Sequence, residues 1–420
     1  MTDNQRNHEE SLALELRPRS LDKVAQLIDK GVSIPDPLSV DVGPDVDVAR
    51  ISGDGVTIYP GCRIYGAKTV ISRGASLGAE APVTLRDCRL GPEVELGGGF
   101  YAGSVLLDGV VMGASAHVRE GCLLEERARG AHAVGLKQTI LFPFVTLGSL
   151  VNFCDCLMAG GTSPSHHSEV GSSYVHFNFT PAGDKSTASL FGDVPRGVML
   201  DQEPIFLGGQ GGAVGPLRVA FGTVVAAGSI LREDVLEEGQ LVVASVPRGM
   251  KRAFSPRAYT DVRPVVRNNI VYLANLAALE RWYSEVRRGF FHREELGDLM
   301  LEAALEVLAA AKRERVHRLL SMLDKAAASD GSKPRPSGKM RALAALFTDG
   351  TEGDDAPNPP RSLTAAVAAA WSDGGERHYL DWMRALPSAT RRAGTDWLQT
   401  TVNFLCARAG ELLDDPRLSA

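Results

Sequence analysis

Three histidines, His166, His167 and His176, fall in one short stretch of this 420-residue sequence. Imidazole titrates closest to neutral pH, so each is a candidate general base. His166 and His167 sit in the polar run GGTSPSHHSEVG. His176 lies two residues before Asn178, and the two side chains share a side if the backbone there is extended. A loop histidine is also commonly a solvated or hydrogen-bonded side chain, and asparagine is a common turn residue. Lys185, Lys137 and Arg127 or Arg129 carry the positive charge that a phosphate needs, although each alone reads equally as a surface charge. The cysteines, Cys62, Cys88, Cys122, Cys154, Cys156 and Cys406, form no CxxC pair. Neither a zinc site nor a thioredoxin-type motif is expected. Cys154 and Cys156 read as small strand residues in a reducing compartment.

Such residues need a scaffold, and the sequence supplies a repeating one. An aliphatic residue returns every six positions at Ile58, Ile64 and Val70. One extra residue leads to Leu77 and Val83, and another to Leu90 and Leu96. The beat returns at Val145, Val151 and Leu157. It is cleanest at Leu207, Ala213, Val219, Val225 and Leu231, with small residues between. A triangular coil needs about six residues per side, with one aliphatic per side stacking on its equivalent in the next coil. A sandwich of alternating strands would show a period of two. The expectation is a mainly β fold, a left-handed parallel β-helix over residues 40–250, stable only because its coils stack.

Residues 160–212 depart from the beat, and insertions in a solenoid map to loops on one face. Residues 1–39 read as an N-terminal helix and lead-in: Leu21, Val24, Leu27 and Ile28 keep helical spacing between Ser20 and Lys30, and Gly31 stops the helix. After Arg248 the pattern turns helical. Val266, Ile270, Leu273, Ala277, Trp282 and Val286 give one apolar face between Pro264 and Phe291. Leu299, Leu305, Leu308, Val316, Leu319 and Leu323 give another between Arg293 and Ser329. The expected divisions are a helical region over 251–347, a polar linker over 348–361 and a C-terminal helical segment over 362–420, broken near Asp373 and at Pro387. This tail carries no catalytic motif and suits a cap or a contact with a protein partner.

Composition narrows the class. Of the 44 glycines, 34 fall in the first 250 residues, as a fold of many tight corners requires. A net charge of −6 without a basic block argues against nucleic-acid binding. The N-terminal segment lacks the apolar core of a signal peptide, and no apolar run approaches a membrane span. A cytoplasmic protein without membrane contact is expected.

From about Lys137 to Val235, a quarter of the chain, the order of motifs resembles a known family. Val151-Asn152-Phe153 is followed by Val170-Gly171-Ser172-Ser173, then Asn178-Phe179-Thr180-Pro181 with Lys185, then Leu190-Phe191-Gly192-Asp193 and the hexads from Leu207 to Leu231. This order is similar to the acetyltransferase domain of the bifunctional enzymes that make UDP-N-acetylglucosamine from glucosamine 1-phosphate. The resemblance implies an acyl-CoA-dependent N-acyltransferase acting on an amino sugar phosphate or sugar nucleotide, a homotrimer with sites between subunits, acetyl-CoA as co-substrate and no metal. N-acetylation needs a base for the amine, a donor for the oxyanion and an acceptor held in line. His167, His176 and His166 are the candidates for the base. Asn178, Lys185, Lys137 and Asn152 would contact the substrate. Gly209 and Gly211, with Ala226 and Ala227, would lie along the pantetheine arm, although glycine serves plain corner geometry equally well. The sequence departs from the family in two ways. The family's catalytic histidine falls at Phe153, which cannot take a proton, so either the base has moved or the chain is a non-catalytic sugar-nucleotide-binding or assembly scaffold. The Gly-rich nucleotidyltransferase loop and its lysine do not precede the repeats, so uridylyl transfer is not expected.

Overall fold

The computed structural model describes residues 18–178, 185–244, 249, 251, 253, 261–330, 337–349, 357–372 and 378–415. From Asp41 to Val242 the chain is a parallel β-solenoid. One ladder has ten strands; the other has sixteen and folds around an edge of the coil, so three walls result. The long strands Gly135–Leu141 and Asn152–Met158 run across that edge and join walls I and II.

On wall I the inward column runs through Ile64, Leu85, Tyr101, Val118, Leu136 and Phe153, then His176, Ala213 and Leu231. On wall III it includes Ile58, Leu77, Leu96, Val170, Leu207 and Val225. The final beats, Leu207, Ala213, Val219, Val225 and Leu231, step through walls III, I, II, III and I, so three beats make one circuit. At Val70 and at Leu157 the beat falls one residue early. The inward residues there are Ile71 and Met158, and Val70 joins the outward column of wall II.

That outward column continues through Arg89, Val105, Leu123, Ile140, Leu157 and Leu190, and every one of these residues is buried. The cover is helical, which explains the paired aliphatics Leu123-Leu124 and Ile140-Leu141: a strand buried on both faces loses its alternation. At the N-terminal end, helix α1 (Leu21–Lys30) buries Val24 and Leu27 and is closed by Gly31 at φ +112°. Helix α2 is one turn, Val194–Gly197. Helix α3 (Arg263–Trp282) passes through a π-helical turn, Tyr283–Arg287, into α4 (Arg288–Phe291). Helices α5 (Gly297–Asp330), α6 (Ser337–Thr348), α7 (Arg361–Ser372), α8 (Tyr379–Ala385) and α9 (Ser388–Leu413) follow. Glu306 of α5 ties the cover to wall II through Arg89 at 2.7 Å and Lys68 at 3.0 Å.

The irregular stretch 160–212 is three excursions rather than one block. Strands Glu169–Val170, Val175–Asn178 and Ser189–Phe191 return to the ladders between them. Residues 350–356 of the expected linker and 179–184 after Asn178 lie outside the described residues. Among the described residues, no helix is long and apolar enough to cross a membrane.

Candidate functional site

The first excursion is a hairpin pairing Gly161–Ser163 with His166–His167. It displays two imidazoles. His166 is exposed, with Nδ1 3.1 Å from Thr162 Oγ1 and Nε2 3.3 Å from Glu203. His167 is half-buried, with Nδ1 3.3 Å from the Ser168 carbonyl oxygen. Gly160 sits at the hairpin's root, where a Cβ would fall 1.7 Å from the Pro143 carbonyl oxygen, so only glycine fits.

His176 stands elsewhere, in the inward column of wall I among Phe153, Tyr174 and Phe191. Its ring is edge-on to Phe153 and Phe191 at 6.4 Å. Nε2 is 2.7 Å from Ser189 Oγ, which also accepts from Leu217 N at 2.9 Å. Burial pushes the imidazole down to about 4, against the pull of Asp155 and of a backbone hydrogen bond to Cys154. His176 is therefore neutral at physiological pH and closed to solvent in this protomer. Phe153 is fully buried beside it. The imidazoles that an acceptor can reach are His166 and His167.

On the outside of wall I, Lys137 lies in register with Cys154, and exposed Asn152 accepts a 3.2 Å contact from the Cys154 thiol. Asn178 closes the next strand, in register with Gly215. Lys185, exposed, resumes the chain beyond the undescribed loop. The helical layer grips the foot of that loop. Arg315 of α5, buried, pairs with Asp155 at 2.9 Å and donates to the Lys185 carbonyl at 3.3 Å. Thr187 donates to the other Asp155 oxygen at 3.3 Å, and Asn269 of α3 donates to the Ser186 carbonyl at 3.0 Å. Asp155 takes the corner with φ +56°. Sequence reasoning missed Asp155, Arg315 and Asn269: their partners are distant in sequence and no period marks them. The outer face of wall I thus carries Lys137 and Asn152, the backbone of Asn178 ends its next strand, and Lys185 stands where the described chain resumes. Arg129 belongs to wall III, and Arg127 lies beside the helical layer near Tyr379.

Gly209, Ala226 and Ala227 share one corner of successive coils, where Gly228 N donates to Gly209 O at 2.9 Å. A Cβ on Gly208 would meet Ala227 N at 2.4 Å, and one on Gly211 would meet Gly208 O at 2.7 Å. Stacking of neighbouring coils already requires these glycines. Ala227 is exposed and Ala226 half-exposed, so that edge is open to a ligand. Among the described residues, no group of three or more His, Cys, Asp or Glu side chains is placed to hold a metal.

No family model matches the chain. Similar proteins are the "Bifunctional protein GlmU" of Thermotoga maritima, 27% identical over 214 residues, 51% of this chain and 42% of that protein. That of Pelobacter propionicus is 26% identical over 223 residues, 52% and 42%. That of Carboxydothermus hydrogenoformans is 27% identical over 223 residues, 53% and 44%. The matched segment spans less than half of each relative's own length. Sequence and architecture agree that the solenoid of this chain is homologous to the hexapeptide-repeat domain of the GlmU proteins.

Proposed function

We propose that this chain is a cytoplasmic acyl-CoA-dependent N-acyltransferase acting on an amino sugar phosphate or sugar nucleotide, working as a homotrimer. The observation that supports this reading is the anchoring of residues 185–187, where Arg315 pairs with Asp155, Thr187 donates to Asp155 and Asn269 donates to the Ser186 carbonyl, at the edge of the wall that carries Lys137 and Asn152. Holding an acceptor in line requires side chains on a fixed support, and a buried ion pair supplies one beside Lys185. Lys185 and Lys137 would take the phosphate, Asn178 and Asn152 the sugar, and acetyl-CoA would run along the Gly209–Ala227 edge. His167 would take the proton from the amine, with His166 its alternative. His176 would hold the wall from inside.

The test is thiol release from acetyl-CoA with glucosamine 1-phosphate. Activity that falls at least 100-fold in His167→Ala, with the fold unchanged, supports the assignment; a base contributes roughly 10²–10⁴-fold. A second reading, a non-catalytic sugar-nucleotide-binding scaffold, is favoured by Phe153, which leaves the family position without a base. A melting temperature raised by UDP-N-acetylglucosamine, with no thiol release, would select it, since ligands of the folded state stabilise that state.

A further inference from the structure

The outer face of wall I presents two columns of side chains. One runs from Thr84 to Val175 through Phe100, His117, Gly135 and Asn152. The other runs from Arg86 to Phe177 through Arg119 and Lys137. In a chain of net charge −6, these columns carry Arg86, Arg119 and Lys137 and no carboxylate. None of the three cations forms an ion pair among the described residues. The acids at the adjoining corner are engaged or lean away. Asp87 accepts from Lys68 N at 3.0 Å, and Asp155 pairs with Arg315. The Glu120 side chain lies over Gly103, one coil back, where a Cβ would meet its Cγ at 3.3 Å.

Gly135 interrupts the first column, and neither backbone nor packing demands a glycine there. Its φ lies outside the left-handed region, and a Cβ would meet nothing closer than Asn152 Oδ1 at 3.7 Å. Every other described glycine between Asp41 and Val242 has a positive φ or would bring a Cβ within 3.1 Å of another atom. A bare glycine weakens a strand, and it recurs where a ligand approaches the backbone closely. The recess it leaves lies between exposed His117 on one side and exposed Asn152 on the other. Phe100 backs His117, with ring centres 5.1 Å apart. Alongside, Arg119 reaches past Lys137 to donate to Cys154 Sγ at 3.8 Å.

We infer that this recess binds the nucleoside diphosphate of a nucleotide-linked sugar, with its base in the Gly135 recess against His117, its diphosphate along Arg119 and Lys137, and its sugar towards Asn152. The inference deepens the acyl-transfer reading and rests on that reading's phosphate at Lys137. A planar base stacks on a ring face whatever its edge pattern. Two cations on neighbouring strands, about 4.8 Å apart, suit two linked phosphates, and a guanidinium grips one of them through two N–H groups. Phe100 and Asn152 are three strand steps apart, roughly 14 Å, which base, diphosphate and sugar fill in order. A simple sugar phosphate would use Lys137 and Asn152 alone, leaving the ring pair and the bare glycine without a role.

The experiment is calorimetric titration of the full chain with UDP, CDP, dTDP, GDP and ADP, and with pyrophosphate as the match that lacks base and ribose. At least one nucleoside diphosphate is expected to bind at least tenfold tighter than pyrophosphate. Gly135→Val fills the recess from a Cβ in ordinary contact. It is expected to lose at least tenfold for that nucleotide, with pyrophosphate affinity within twofold of wild type and the unfolding transition retained. His117→Ala, at an exposed position, is expected to lose at least fivefold in the same comparison, and it tests the inference even if Gly135→Val fails to fold. Coenzyme A is the other source of a nucleoside diphosphate, and both variants are expected to bind it as wild type does. Nucleotides no tighter than pyrophosphate, variants that keep full nucleotide affinity, or variants that lose coenzyme A would each overturn the inference. Thiol release with glucosamine 1-phosphate from a chain that fails the nucleotide test would overturn the inference and leave acyl transfer standing. Nucleotide binding that passes every arm, without thiol release, would uphold the recess and refute the transferase.

Discussion

Removing Arg287 should unseat the helical layer in a way that depends on pH. Arg287 is 2% exposed. It holds Glu125 at 3.1 Å and Glu126 more closely, donates to Tyr283 Oη at 2.9 Å, and lies 4.2 Å from the Tyr379 ring centre. Tyr283 in turn donates to Glu125 at 2.6 Å. Arg287→Met keeps much of the side chain's apolar bulk but leaves two buried carboxylates facing each other. Breaking a buried ion pair from one side costs about 3–5 kcal/mol. Burial and Glu126 already hold the Glu125 carboxyl above its usual range, and losing Arg287 raises it further. A carboxyl raised in the folded state binds a proton that the unfolded state has released, so stability falls as pH climbs above the unfolded value. The variant should lose about 3–5 kcal/mol at pH 8 and much less at pH 5, where the Glu125 carboxyl can be neutral. Urea unfolding followed by tryptophan fluorescence reads this directly, because Trp282, Trp371, Trp382 and Trp397 all belong to the helices. An equal loss at both pH values would assign Arg287 to packing on Tyr379 and refute the electrostatic account. A loss below about 0.5 kcal/mol at pH 8 would refute the anchor altogether.

Two further outcomes follow from the wall I core and the hairpin root. His176 stays neutral when folded but gains a proton at ordinary pH when unfolded, so its contribution is whole above about 6.5 and fades as pH falls towards 4, by of order 3 kcal/mol. In His176→Leu that part of the acid dependence should vanish; unfolding free energies of both proteins across pH 4–7 check it, and parallel curves would contradict the placement. Gly160→Ala should cost about 1–3 kcal/mol, because a Cβ 1.7 Å from the Pro143 carbonyl oxygen forces the backbone apart. Its urea midpoint measures this, and an unchanged midpoint would show that the root yields freely.

The solenoid was legible because one inward residue per wall leaves a trace in the sequence itself. The run from Leu207 to Leu231 steps from wall to wall without a miss. Val70 shows the limit: where both faces of a strand are buried, Val70 and Ile71 are equally apolar and the beat cannot say which points in. The fate of the histidines was less legible. His176 is separated from Asn178 by one residue, as a shared outer face would require, yet it occupies the inward column because the register inherited from Phe153 places it there. Only the stacked coil reveals that register. The hairpin of His166 and His167 and the grip of Arg315 on Asp155 depend on pairings across the chain, and composition carries no record of them.

The covered wall bears on how copies of this chain could complete a site. Arg89, Val105, Leu123, Ile140, Leu157 and Leu190 are buried, with α3 and α5 packed on their wall, so this column of wall II is closed to a neighbour. In the proposed trimer, each copy must meet the next through walls I and III, a head-to-tail contact that closes after three. Wall III ends in an outward stripe, Phe206, Val224 and Leu241, that is strongly exposed for apolar residues. Wall I offers exposed Phe177 beside Asn178, Cys154 and Lys137. Burying that stripe against Phe177 would bring a neighbour's wall over Lys137 and Asn152. The same contact would exclude water from the proposed acceptor site and remove an apolar patch from solvent, so assembly and chemistry would draw on one surface.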